Sequence, residues 1–148
     1  EQVSGEYVDR GSMLDTQGWF PTRDAGELDE EGFLFLEGRA DDVIVRGAEN
    51  MSPGEIEDVL LRHPAVADAG VVGVPDEHWG EAVAAVIVLK REGIARAEEL
   101  QDWVRKHLRS SRVPHSITFV EALPYNETGK LLRRAIRLKL AELAFKKV

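Results

Sequence analysis

The hydrophobic pattern along the chain changes period several times, and each change marks an element. In residues 53–61, Ile56, Val59 and Leu60 fall on one face of a helix. Glu98–Leu108 repeats that spacing with Leu100, Trp103, Val104 and Leu108, and a helical pattern returns over Leu131–Ala144. Between them, Val66–Val74 and Ala82–Leu89 are rich in β-branched and small apolar residues, which predicts two strands around the turn "PDEHWGE". Val43–Val45 and Ile117–Val120 predict shorter strands. Upstream, Ala25–Leu28, a "DEEG" turn and Phe33–Leu36 predict a hairpin, after which "GRADD" interrupts the apolar pattern and marks a joint. From residue 43 the order is β, α, β, β, α, β, α, an α+β layer of three or so strands covered by helices.

Local chemistry sharpens two boundaries. In "SPGEIEDVLLRHP", Ser52 is placed to cap a helix, Pro53 suits its first position, Glu55 would complete a capping box, and "HP" ends it. "RGAEN" reads as a turn. "TGK" invites a phosphate-loop reading that fails. Pro124 occupies the place of the required upstream glycine, and Leu131 stands where a magnesium-reaching hydroxyl is needed.

Composition narrows the classes. With 148 residues, 43% hydrophobic and 31% charged, the chain reads as soluble and globular, one domain being the default. No apolar run approaches the roughly 20 residues of a membrane span. "EQVSGEYVDR" lacks the pattern of a signal peptide and reads as the middle of a longer protein; a cytoplasmic location is the expectation. The absence of cysteine removes disulfides, thiolate nucleophiles and thiolate metal sites. His63, His78, His107 and His115 show no metal-ligand spacing, so no metal site is expected.

The net charge of −8 is unevenly spread. Residues 1–60 hold four basic and sixteen acidic side chains, and residues 61–148 hold fifteen and eleven. Lys130, Arg133, Arg134, Arg137 and Lys139 cluster near the C-terminal end, either as a solvated helix face or as a surface for an anion. Nucleic acid is not expected as a partner. Within the cluster, Gly129 frees the backbone before Lys130, whose compact cation suits charge developing on a phosphate or carboxylate. Asp24, Arg39, Asp41 and Asp42 lie at the ends of the hairpin. A carboxylate there could accept two ribose hydroxyls and an arginine could donate to phosphate, or all four are surface charges.

Four segments in order then resemble the adenylate-forming superfamily of acyl-CoA synthetases, peptide-synthetase adenylation domains and luciferases, over residues 17–140. They are "GWFPTRDAGELDEEGFL", "GRADDVIVRGAENMSPGEIEDVL", "HPAVADAGVVGVPDEHWGEAVAAVIV" and "LPYNETGKLLRR". The resemblance implies that residues 1–38 are the β-rich tail of a large N-terminal AMP-binding domain and 39–148 a mobile C-terminal lid domain. It implies two half-reactions, with ATP and then CoA, and magnesium arriving with ATP on ligands outside these residues. Lys130 would be the catalytic lysine of adenylation, Asp24 and Arg39 would bind the nucleotide, and Asp41 would be the hinge. Arg46, Gly47, Ala48 and Trp79 would meet CoA. "TRD" departs from the family's "TGD" at Arg23, and Ala48 stands where many relatives have glycine. The implied function is the C-terminal part of an ATP-dependent acyl-CoA synthetase for a fatty or other apolar acid, inactive without the N-terminal domain of the same chain. The alternatives are a fatty acyl-AMP ligase serving an acyl carrier protein, and a non-enzymatic module whose basic last helix docks an acidic partner.

Overall fold

The computed structural model describes residues 6–7, 11–12 and 14–145, with 6–7, 11–12, 25, 36–39, 41 and 144–145 described by backbone alone. The chain divides into two compact units, Glu1–Asp41 and Asp42–Val148.

Among its described residues the first unit holds two antiparallel pairs. β1 (Glu6–Tyr7) pairs with β2 (Gly11–Ser12), and β3 (Asp24–Leu28) with β4 (Leu34–Arg39). The second pair is the hairpin expected around "DEEG". Asp29 organises its turn, its carboxylate accepting the Glu31 and Phe33 amides at 2.9 and 2.8 Å. A register shift between Ala25 and Gly26 sets Asp24 opposite Arg39 in the ladder.

The second unit is a mixed sheet between two helical layers. Its strands are β5 (Ile44–Arg46), β6 (Glu49–Met51), β7 (Val66–Asp76), β8 (Gly80–Leu89) and β9 (Ser116–Phe119). They run in the order β6-β5-β8-β7, and β9 joins β8 in parallel. Among the described residues the sheet has five strands, the four that the sequence order contained and one more, against a layer expected to hold three or so. The strand missed is β6, whose sequence "ENM" buries only Met51 and carries no apolar signature; its pairing with β5 is made by backbone.

The helices are α1 (Pro53–Leu61), α2 (Ala97–His107) and α3 (Arg133–Phe145). The expected start of the last helix at Leu131 is two residues early, because Leu131 bridges Tyr125 instead. The capping box also fails to form. Ser52 sits at the N-cap of α1 without making the capping bond, while Glu55 pairs with Arg112 at 3.2 Å, a guanidinium that also holds Glu49.

Strand β8 explains the layering. Val83, Ala85 and Ile87 pack with Ile44, Ile56, Leu60, Leu100 and Val104, whereas Ala84 and Val86 pack with Val72, Leu123 and Ile136 on the other face. Side chains alternate faces along a strand, and here both faces are covered, so the strand reads as one unbroken apolar run. Among the described residues no helix is long and apolar enough to cross a membrane.

Candidate functional site

Lys130 lies in a closed loop just ahead of α3. Pro124 accepts the Leu132 amide at 2.8 Å, Tyr125 bridges Leu131, and the Asn126 amide donates to the Lys130 carbonyl at 3.0 Å. The Asn126 side-chain carbonyl accepts from the Lys130 amide (2.7 Å), the Thr128 amide (3.1 Å) and the Thr128 hydroxyl (2.8 Å). Gly129 turns the chain at φ 77°, a region that an L side chain enters only at a cost. The lysine side chain is exposed, and among the described residues no hydrogen bond or ion pair holds its ammonium. Asn126 was not singled out from sequence, although "N-x-T-G" is an Asx-turn signal.

The loop is anchored on both sides. The Tyr125 hydroxyl donates to the Asp68 carboxylate, 2.9 and 3.1 Å from its two oxygens. Partial burial and then that hydrogen bond push the phenol up to about 12. Beyond the lysine, Arg133 Nη2 donates to both Glu57 oxygens at 2.8 and 2.6 Å, and Nε to the Val71 carbonyl at 3.3 Å. Its Nη1 lies 3.5 Å from Asp42 Oδ2. Glu57 also accepts the Val71 amide at 2.8 Å, and burial pushes its carboxyl above the usual range in spite of that bond and the Arg133 charge. The basic cluster thus divides: Arg133 is turned inward, and Arg137 donates to the Gly73 carbonyl at 3.4 Å.

Arg46, Gly47 and Trp79 gather at the far end of the sheet. The Gly47 amide donates to the Trp79 carbonyl at 2.7 Å, and a Cβ on Gly47, at φ 62°, would already touch the indole at 3.4 Å. The Arg46 guanidinium lies 5.3 Å from the centroid of the half-exposed indole and donates to the Ser111 carbonyl at 3.2 Å. Ala48 is exposed in the adjoining turn. Asp76 presents Trp79 by accepting the His78 and Trp79 amides at 3.0 and 2.9 Å, and these bonds hold its carboxyl below the usual range. A cleft of about 410 Å³ opens here, lined by Arg46, Trp79, Arg105 and His115 among others.

Asp24 stands at the start of β3, its amide donating to the Thr22 hydroxyl at 3.2 Å. Arg23 beside it has φ 60°, the left-handed conformation that the glycine of "TGD" would take freely. The side chains of Arg39 and Asp41 lie outside the described residues; their backbones end β4 and enter a single 3-10 turn, Ala40–Asp42. Among the described residues no group of three or more His, Asp or Glu could hold a metal ion.

The family model described as the AMP-binding enzyme C-terminal domain matches residues 55–130. The 2-succinylbenzoate–CoA ligase of Bacillus cereus is 46% identical over 144 residues, covering 95% of this chain and 30% of the relative. The o-succinylbenzoate CoA synthetase of Bacillus subtilis, solved with the acyl-adenylate OSB-AMP, gives a TM-score of 0.80 at 39% identity, over 88% of this chain and 27% of that one. A Mycobacterium tuberculosis fatty acyl CoA synthetase gives 0.68 at 38% identity, over 85% and 25%. The chain spans about 30% of the length of the curated relatives it matches. With motif order, fold and family model in agreement, the chain belongs to the AMP-binding enzyme C-terminal domain family, the C-terminal portion of the adenylate-forming enzymes.

Proposed function

We propose that the chain is the lid portion of an ATP-dependent acid–thiol ligase. In the first half-reaction a carboxylate oxygen attacks the α-phosphorus of ATP, giving acyl-AMP and pyrophosphate. In the second, the CoA thiol attacks the acyl carbon, AMP leaves, and the thiol proton is released. Residues 1–38 are read as the end of the large N-terminal domain and 39–148 as the mobile domain, with Asp41 as the pivot.

Lys130 serves the first step. Its ammonium meets the negative charge that grows on the carboxylate and α-phosphate oxygens in the transition state. Asp24 accepts the ribose hydroxyls, and Arg39 donates to ribose and phosphate. The second step uses the opposite end of the sheet. Trp79 offers a face to the CoA adenine, Arg46 a cation for its phosphates, and Gly47 and Ala48 a close backbone approach for pantetheine.

One observation carries this reading. The lysine loop is tied to Asp68 and the indole turn to Asp76, eight residues apart along β7, a rise of about 26 Å. Two groups anchored that far apart along one strand support the reading that they serve the two half-reactions in turn, about a pivot. As to the acid, the relatives' names favour an aromatic carboxylate of the 2-succinylbenzoate class over the fatty acid expected from sequence.

The test is Lys130→Ala in the complete enzyme. Acyl-adenylate formation, followed by pyrophosphate release, is expected to fall by about two to three orders of magnitude. Thioester formation from supplied acyl-AMP is expected to persist. Equal loss of both steps removes the role given to Lys130. Assays with 2-succinylbenzoate against a long-chain fatty acid, and with CoA against a phosphopantetheinyl carrier protein, decide the acid and the acceptor.

A further inference from the structure

We propose that Arg133 is a positioning residue that couples the pivot to the lysine loop, so that rotation at Asp41 carries Lys130 with it. The inference rests on the adenylation role given to Lys130 above.

Arg133 opens α3 three residues after Lys130, and its guanidinium is mostly buried, with 17% of the side chain exposed. One planar group meets three elements at once: the Glu57 carboxylate on α1, the Val71 carbonyl on β7, and the Asp42 carboxylate next to the pivot. Glu57 closes the ring by accepting the Val71 amide. Toward the lysine, the Leu132 amide is bonded to Pro124 and the Lys130 amide to Asn126, so the segment entering α3 cannot shift without moving the loop. The Tyr125–Asp68 bond fixes the other side of that loop but does not reach the pivot.

Net stability gives only a weak reason for an arginine at this place. A cation at a helix N-terminus opposes the helix dipole. Burial disfavours the ionised Glu57, and buried ion pairs often stabilise no better than apolar contacts of the same size. What an arginine uniquely supplies here is a rigid fork whose donors fix several partners in one plane; a lysine offers a point charge on a flexible stem. Through Asp42 the guanidinium adds the chain segment beside the pivot to α1 and β7, which already hold it.

The experiment uses the complete enzyme with Arg133→Lys, Asp42→Asn and Lys130→Ala, each assayed for the two half-reactions separately, with melting temperatures recorded. A displacement of the lysine by about 1 Å is expected to slow acyl-adenylate formation by about ten- to a hundredfold in Arg133→Lys and less in Asp42→Asn. This loss should fall on kcat, with KM for ATP and the acid nearly unchanged and thioester formation from supplied acyl-AMP retained. Asp42→Asn leaves the Glu57 and Val71 contacts in place, so it reads the pivot contact even where Arg133→Lys unfolds. If both variants slow the two half-reactions equally, or leave both unchanged while Lys130→Ala abolishes adenylation, the coupling is wrong and the ligase reading stands. If Lys130→Ala itself leaves adenylation intact, the ligase reading falls first and takes the coupling with it.

Discussion

Arg23 and Tyr125 show how much one residue can carry. Arg23 holds φ 60°, a conformation that costs an L-residue about 1–2 kcal/mol. The departure from the family's glycine thus changes the side chain beside Asp24 while keeping the backbone shape that glycine would allow. Tyr125 has a measurable signature. Its phenol is pushed up to about 12 from an ordinary 10.0. The neutral form is therefore favoured in the folded state, so its contribution is complete below pH 10 and is lost as pH rises toward 12. Tyr125→Phe is expected to remove that alkaline loss. In urea titrations at stepped pH, the wild-type protein should lose more stability than the variant over this window, and parallel profiles would show that the Asp68 bond contributes nothing. "TGK" made Lys130 visible in the sequence, but neither the Asp68 partner of Tyr125 nor the Glu57 partner of Arg133 was legible. They are 57 and 76 residues distant, and no local pattern encodes such pairs.

At the scale of elements, α2 tests what amphipathic spacing means energetically. Leu100 and Val104 are fully buried against α1 and the sheet. Leu100→Ala is expected to cost about 2–5 kcal/mol through lost burial and the cavity left behind. Trp103 contributes differently. Its Nε1–H donates to the Val59 carbonyl at 2.8 Å, one of the last carbonyls of α1, which the helix itself cannot satisfy. Trp103→Phe keeps much of the ring and should cost about 1 kcal/mol. Chemical denaturation at constant m-value ranks the two, and a reversed order would mean that the helix pair is held by the indole bond rather than by its apolar seam. The spacing of Leu100, Trp103, Val104 and Leu108 made this helix readable in advance. Strand β6 was unreadable because only Met51 of its three residues is buried, and the α1 capping box was misread because Arg112, distant in sequence, engages Glu55.

The whole molecule joins an acid-rich N-terminal part to a more basic remainder, and it divides after Asp41 into two compact units. The 148 residues match about 30% of the length of their curated relatives. On the proposed reading, they are expected to release no pyrophosphate from ATP with any carboxylate when assayed alone. Activity should appear only in the complete enzyme, and turnover by the isolated chain would overturn the division of labour. The second unit is expected to unfold as one cooperative transition, since its two apolar clusters share β7 and β8.

The sequence by itself determined the helices, the long β7–β8 hairpin, the α+β class and the family, because each is written in local periodicity or in contiguous motifs. It also offered Lys130 and, through the family resemblance, Trp79 as candidates for the chemistry. Only the tertiary structure decided that the loop bearing Lys130 is tied to Asp68 and the turn bearing Trp79 to Asp76, near the two ends of β7, that Asn126 closes the lysine loop, and that Arg133 ties Glu57, Val71 and Asp42 together. Those facts depend on which distant segments meet when the sheet buries both its faces, and that choice is made by the whole core at once.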